Sequence, residues 1–151
     1  MIDLTNNLEP ALAACSHLVV TSKNVSKMTR FMESFFGVKA HYANRQFADF
    51  VLPNGFRIAF FAAIGKTVDY FSAEGERHFM SIGVTTRNLD QLYGKTQLSE
   101  FIDMGIRVSG PPKEHPWGER SFLLIDPDGN RWEITESPSD SGMLVNRDFK
   151  T

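Results

Sequence analysis

The side chains of this 151-residue chain that could carry chemistry are few and widely spaced. They include four histidines (His17, His41, His78 and His115) and a single cysteine, Cys15. No segment matches a nucleophile elbow, a phosphate-binding loop or a Cys-x-x-Cys pair. Cys15 has no clear activating partner, so we interpret it as structural. His41, His78 and His115 fall in loops or near strand ends and are interpreted as surface histidines.

The overall composition limits the classes of function. The chain has 16 basic and 18 acidic residues, a net charge of −2, and therefore neither a basic excess suited to nucleic acid nor an acidic tail. A single cysteine cannot form an intrachain disulfide. No stretch resembles a signal peptide or a membrane span, which typically needs about 18 apolar residues. We expect a cytoplasmic protein with no nucleic-acid or membrane partner.

Hydrophobic periodicity predicts an alternation of strands and helices. A helix that starts after Asn24 and stops at Gly37 is indicated by apolar residues at helical spacing. Residues 9–14 are predicted to form a short helix, and residues 65–77 a linker. The predicted strands are 17–21, 39–42, 46–52, 57–61, 78–85, 106–109, 121–125 and 131–135, and the predicted main helices are 25–36 and 89–104.

An internal repeat organises these elements. Residues 20–25 match 84–89, which is 64 positions later, and residues 53–59 match 127–133, which is 74 positions later. Each repeat is predicted as strand, helix, strand, strand, strand, which gives an α+β fold of two βαβββ repeats. We expect a single domain over 1–151, with repeat one at about 16–62 and repeat two at about 78–136. Two such units can bend their sheets around a common cleft.

Three segments carry a resemblance to a known superfamily. The run 126–134, Asp-Pro-Asp-Gly-Asn-Arg-Trp-Glu-Ile, resembles the C-terminal hallmark of the glyoxalase, bleomycin resistance protein and extradiol dioxygenase (vicinal oxygen chelate) superfamily. Residues 116–122 resemble its Pro-Trp-Gly hairpin, and 17–25 resemble its first strand and helix start. The resemblance runs from about 17 to 136. It implies the vicinal oxygen chelate fold and, usually, a homodimer whose cleft is completed at the interface.

The resemblance also implies where a divalent metal would be bound. Metal-dependent members place ligands on the first and last strand of each repeat, which here correspond to His17, Ala59, Ser81 and Glu133. Alanine has no donor atom, and serine is a poor ligand for zinc, iron, nickel or manganese. Since three protein ligands are the usual minimum, we favour no metal. The alternatives are a metal held by His17 and Glu133, or a buried hydrogen-bonded pair of these two residues.

Strand alternation predicts which side chains share the cleft with His17 and Glu133. Arg57 and Arg131 occupy equivalent places in the two repeats and are either partners of an anionic ligand or solvated. Trp117, on the Pro-Trp-Gly hairpin, is a candidate wall or lid by resemblance, and the alternative is an exposed or dimer-facing aromatic. The predicted ligand-binding residues are His17, Phe61, Phe79, Ser81, Trp117, Arg131 and Glu133.

Three functions remain open at this point. The favoured one is a small-molecule binding protein that holds an aromatic or antibiotic-like ligand without a complete metal site, as bleomycin resistance proteins do. The second is a metal-dependent lyase, thiol transferase or dioxygenase with His17 and Glu133 as ligands. The third is a metal-free isomerase or hydrolase in which Glu133 or His17 acts as general base.

Overall fold

The computed structural model describes residues 11–69, 71 and 80–137. Within these residues the chain runs through strand, helix and three strands, and then through a second copy of that order with small additions. The helices are α1 (Val25–Ser34), α2 (Leu89–Lys95) and α3 (Ser99–Asp103). The strands are β1 (His17–Thr21), β2 (Ala40–Ala43), β3 (Phe47–Val51), β4 (Arg57–Phe61), β5 (Ser81–Thr86), β6 (Arg107–Val108), β7 (Lys113–Glu114), β8 (Arg120–Ile125) and β9 (Arg131–Glu136).

The first repeat forms a four-stranded sheet in the order β1-β4-β3-β2, in which β1 runs parallel to β4. Helix α1 begins at Asn24, whose side-chain oxygen accepts a hydrogen bond from the backbone N–H of Lys27 at 3.0 Å. The helix buries one face, formed by Val25, Met28, Phe31 and Met32. This face covers the first sheet, as the apolar periodicity predicts.

The second repeat forms a five-stranded sheet in the order β5-β9-β8-β6, with β7 paired to β8. The prediction of one helix over 89–104 is wrong, because the chain forms α2 and α3 with a break between them. At the break, the backbone N–H and the hydroxyl of Thr96 both donate to the carbonyl of Tyr93. A threonine that bonds the backbone one turn back in this way favours the end of a helix.

The strand registers confirm that the two repeats are built alike. His17 pairs with Arg57 in the first sheet as Ser81 pairs with Arg131 in the second. The β3–β4 and β8–β9 turns also match, since Gly55 and its counterpart 74 positions on, Gly129, both have φ of 89°. Glycine tolerates this conformation because it has no Cβ. The α+β fold of two βαβββ repeats that the sequence predicts is therefore present.

One hydrophobic core joins the repeats on the helix side of both sheets. Phe36 of the first repeat lies 4.8 Å, centroid to centroid, from Trp132 of the second, and Phe35 lies 5.2 Å from Phe101. Trp132 is only 1% exposed and Phe35 is fully buried. The faces of the two sheets that carry the predicted site therefore turn away from the shared core.

Some local predictions differ from the structure or lie beyond it. Residues 11–14 are not helical, and the rest of the predicted helix 9–14 lies outside the described residues. The predicted linker starts with a short 3₁₀ helix, Gly65–Asp69. The strand predicted from residue 78 starts at Ser81, and residues 78 and 79 lie outside the described part. Among the described helices, none is long and apolar enough to cross a membrane.

Candidate functional site

Each sheet has one face that points away from the core, and we name these the first and the second cleft face. The first cleft face carries His17, Val19, Tyr42, Phe47, Asp49, Val51, Arg57, Ala59 and Phe61, as the strand registers place them. The second carries Ser81, Gly83, Thr85, Ser121, Leu123, Ile125, Arg131, Glu133 and Thr135. Most of these side chains are accessible to solvent, so a single chain leaves both faces open.

His17 and Glu133 lie on different sheets, and both are exposed. The Nδ1 atom of His17 lies 2.7 Å from the hydroxyl of Ser16, its neighbour in the chain. Glu133 lies in the middle of β9, between Gly83 and Leu123 on the flanking strands. The buried pair of His17 and Glu133 considered from the sequence is therefore not formed within one chain.

The remaining predicted site residues are spread along these faces. Phe61 is half-buried and packs edge-to-face against Phe71, with ring centroids 5.0 Å apart. Ser81 is exposed and pairs with Arg131, which is half-buried. Phe79 lies outside the described residues. Apart from the Ser81–Arg131 neighbours, the structure of one chain does not gather these residues into one pocket.

The sequence reasoning missed a charged cluster on the first cleft face. Asp49 in β3 is 4% exposed, one of its oxygens accepts a hydrogen bond from Arg57, and the Nδ1 atom of His41 lies 3.5 Å from the other oxygen. Burial raises the pKa of Asp49, but the hydrogen bond and charge of Arg57, with help from His41, bring the net pKa below its ordinary value. Arg57 is therefore paired with a carboxylate of its own chain.

The hairpin between β7 and β8 holds an aromatic platform at the second cleft face. The rings of His115 and Trp117 stack in parallel, with centroids 4.6 Å apart and planes 1° apart. The Nε2 atom of His115 lies 2.6 Å from the hydroxyl of Ser121, a buried residue of β8. Trp117 is nevertheless 65% exposed. His115 is thus more than the surface histidine expected, because it fixes one face of the indole of Trp117 and leaves the other open.

The turn before β9 is held by hydrogen bonds to a buried aspartate, Asp126. The carboxylate of Asp126 accepts hydrogen bonds from the backbone N–H groups of Asp128 and Asn130, from the side-chain amide of Asn130 and from the indole N–H of Trp132. Burial raises the pKa of Asp126 in spite of these bonds. Asp128 accepts a hydrogen bond from the backbone N–H of Lys23 in the first repeat. The interpretation of both aspartates as turn formers is consistent with these bonds.

The donor set on the cleft faces does not fit a divalent metal bound by one chain. At the four positions that the resemblance implies, only His17 and Glu133 have suitable donor atoms, and they project from separate sheets. Across the described residues, no group of three or more histidine, cysteine, aspartate or glutamate side chains could hold a metal ion. Catalytic sites usually provide three protein ligands. We therefore derive no chemistry through a metal.

A cavity of about 860 Å³ lies between the repeats, and it reaches the second cleft face only at the edge strand β5, through Gly83 and Thr85. Core side chains such as Phe35 and Trp132 form its floor, and the polar side chains of Asn54, Arg87 and Gln91 lie at its rim. Lys95, also at the rim, donates to the carbonyls of Ser34 and Phe35 at the end of α1. Because its floor is packed core and the cluster and platform lie elsewhere, we place the candidate site on the cleft faces.

Comparison with solved structures shows the same fold. A glyoxalase-related enzyme from Fulvimarina pelagi is 20% identical, with a TM-score of 0.69 over 84% of this chain and 90% of that one. The fosfomycin resistance protein FosX from Mesorhizobium loti is 19% identical, with a TM-score of 0.61 over 85% and 95%. FosX from Listeria monocytogenes is 17% identical, with a TM-score of 0.63 over 85% and 96%. These identities establish likeness of fold only.

Comparison with curated proteins finds no match. A family defined by sequence, in contrast, matches residues 14–134, which include both repeats, the hairpin with Trp117 and the turn at Asp126. The match covers most of the chain, and the fold agrees with it. The chain therefore belongs to the Glyoxalase/Bleomycin resistance protein/Dioxygenase superfamily.

Proposed function

We propose that this protein binds a small aromatic or antibiotic-like molecule on its cleft faces, without depending on a metal. The observation that carries the proposal is that Trp117 is both exposed to solvent and held in place by His115. Its indole is 65% exposed, yet His115 stacks on one face and is itself bonded to Ser121. A large aromatic side chain held in this way offers its open face to a flat ligand at little cost in conformational entropy.

Polar groups on the same face would orient the ligand. Thr135 pairs with Ser121 beside the platform, and Glu133 and Arg131 follow at steps of two residues along β9. Small-molecule sites commonly use a few polar groups of this kind for specificity. Binding alone requires neither a catalytic group nor a metal. This agrees with Ala59 and Ser81, which occupy two of the four implied metal positions and are unsuitable as ligands.

We further propose that a second copy of the chain supplies the opposite wall of the cleft. The first cleft face exposes Val19 (47%), Tyr42 (56%), Phe47 (38%) and Val51 (40%), and adjacent exposed apolar side chains are typical of an interaction surface. A single chain cannot cover this face with its own second sheet, because both sheets pack their other faces into the shared core. A two-fold pairing would place the first cleft face of each copy opposite the second cleft face of its partner.

The chemical shift of the indole N–H of Trp117 provides the test. In a ¹H–¹⁵N correlation spectrum the two tryptophans give separate indole N–H signals, assigned with the variant Trp117→Phe. Titration with benzamide should shift the Trp117 signal saturably. The signal of Trp132, which is buried and bonded to Asp126, should stay in place and serves as the internal control. A Trp117 signal that does not move would contradict the proposal.

The dimer is tested separately by light scattering during gel filtration. We expect twice the mass of one chain for the unmodified protein. Val19→Glu, which places a charge on the exposed apolar face, should shift the protein toward the mass of one chain. The matched change Ile102→Glu, on an exposed side chain of α3, should not. A monomer in the unmodified protein would rule out the paired cleft.

A further inference from the structure

An aspartate in the middle of β3 is unusual, because strands disfavour this residue and its neighbours Ala48 and Phe50 are fully buried. The second repeat shows that the fold does not require an aspartate at this position of the strand. Asp49 is paired with Ala59, and the residue at the same register position of the second sheet is Leu123, paired with Glu133. The fold thus accepts leucine at this position, and the carboxylate of Asp49 calls for a separate explanation.

The two oxygens of Asp49 are in different situations. Oδ2 accepts a hydrogen bond from Arg57. Oδ1 is buried and has no hydrogen-bond donor among the described residues, although Nδ1 of His41 lies 3.5 Å away. A buried carboxylate oxygen without a donor is unfavourable, and such groups are rare enough in native proteins to suggest a role.

His41 covers this oxygen only loosely. Its side chain is 66% exposed. It lies where the pairing of β2 with β3 shifts register between Ala40 and Tyr42, which is the mark of a β-bulge. Bulges redirect side chains and are common next to binding sites. An imidazole this exposed has room to turn toward solvent, away from Oδ1.

We propose that Oδ1 of Asp49 accepts a hydrogen bond from a neutral donor of the bound ligand, an amide N–H or a hydroxyl, which takes the place beside His41. The donor is neutral because Arg57 already balances the charge of Asp49, and an ammonium group would add a second cation next to Arg57. The exposed rings of Tyr42 and Phe47, 6.3 Å apart, lie on the same face and offer apolar surface for the rest of the molecule. The inference rests on the proposed function and specifies one polar group of its ligand.

The test compares two probes of nearly the same size and shape. Benzamide has N–H donors, whereas acetophenone, in which a methyl group replaces the amide nitrogen, has none and keeps the ring and the carbonyl. Affinity is measured from the Trp117 indole signal, with the backbone signal of Asp49 as a second reporter. We expect benzamide to bind at least several-fold more tightly than acetophenone. In Asp49→Leu, which copies Leu123 of the second repeat, this preference should disappear. In Asp103→Asn, an exposed site on α3, it should persist.

Failure of the inference alone and failure of the proposed function give different results. If both probes shift Trp117 with equal affinity, the aromatic cleft stands and the role of Asp49 is wrong. If neither probe shifts Trp117, the proposed function fails and the inference fails with it. Thermal unfolding adds a test without ligand, because replacing a buried ion pair by an apolar residue is often neutral or stabilising. A clearly lower melting temperature for Asp49→Leu would show that the carboxylate serves the fold, and would overturn the inference.

Discussion

Replacing Asp126 by alanine removes the acceptor of four hydrogen bonds in a turn where the side chain is 1% exposed. The donors left behind include the indole N–H of Trp132, which is itself 1% exposed. A buried donor left without a partner costs about 1–3 kcal/mol. Water entering the vacated space would satisfy some of these donors, and the buried charge of Asp126 would no longer need compensation. We expect a net loss of about 3–4 kcal/mol in the free energy of unfolding.

Thermal and urea unfolding, followed by circular dichroism, measure this loss. For a chain of this length, 1 kcal/mol corresponds to about 2–4 °C, so the melting temperature should fall by roughly 10 °C. Asp128→Ala is the matched control in the same turn, because the side chain of Asp128 accepts a hydrogen bond from the backbone N–H of Lys23 instead of the four that Asp126 accepts. It should lose only about 1 kcal/mol. Equal stability of the two variants would contradict the stabilising role assigned to the four hydrogen bonds of Asp126.

The stability of the protein should also depend on the cap of α1, the core at Phe35 and the ionisation of Asp49. Asn24→Ala should lose about 1 kcal/mol of unfolding free energy with the cap of α1, whereas Asn88→Ala should lose less, since that side chain makes no cap bond at α2. Phe35→Ala should lose about 3–5 kcal/mol because the ring is buried between the repeats, and Phe47→Ala, at an exposed ring, should lose far less. Asp49 has a lowered pKa, so its ionised form favours folding more than its protonated form does. This difference between the two forms is fully present above the ordinary pKa and is lost as the pH falls through the folded-state pKa. Acid unfolding curves should show this loss in the unmodified protein and not in Asp49→Leu.

The sequence predicts the fold well because each repeat contains short local motifs, a helix cap and glycine turns, that recur at fixed spacing. The cap at Asn24 and the turns at Gly55 and Gly129 fall where the structure has them. The break between α2 and α3 was missed because it depends on the bonds of Thr96 to Tyr93, which compete with a helical pattern that is otherwise continuous.

The site is harder to predict than the fold. Strand alternation places His17 and Glu133 on cleft faces, but it cannot tell whether two cleft faces meet within one chain. That depends on how the helices of both repeats pack, for example Phe36 against Trp132. Asp49 was overlooked although an acid between buried apolar neighbours was a visible signal. The contact of His41 with it depends on the bulge in β2, which no sequence pattern indicated.

The proposed independence of ligand binding from a metal can be tested directly. The most direct measurement is the benzamide titration of the Trp117 indole signal, made in EDTA and repeated after dialysis into zinc. We predict that zinc changes the affinity of neither protein: the unmodified chain gives the same saturable shift in both conditions, and Glu133→Gln, whatever its own affinity, binds equally tightly with and without zinc. A shift that requires zinc and disappears in Glu133→Gln would contradict the claim and would identify Glu133 as a metal ligand.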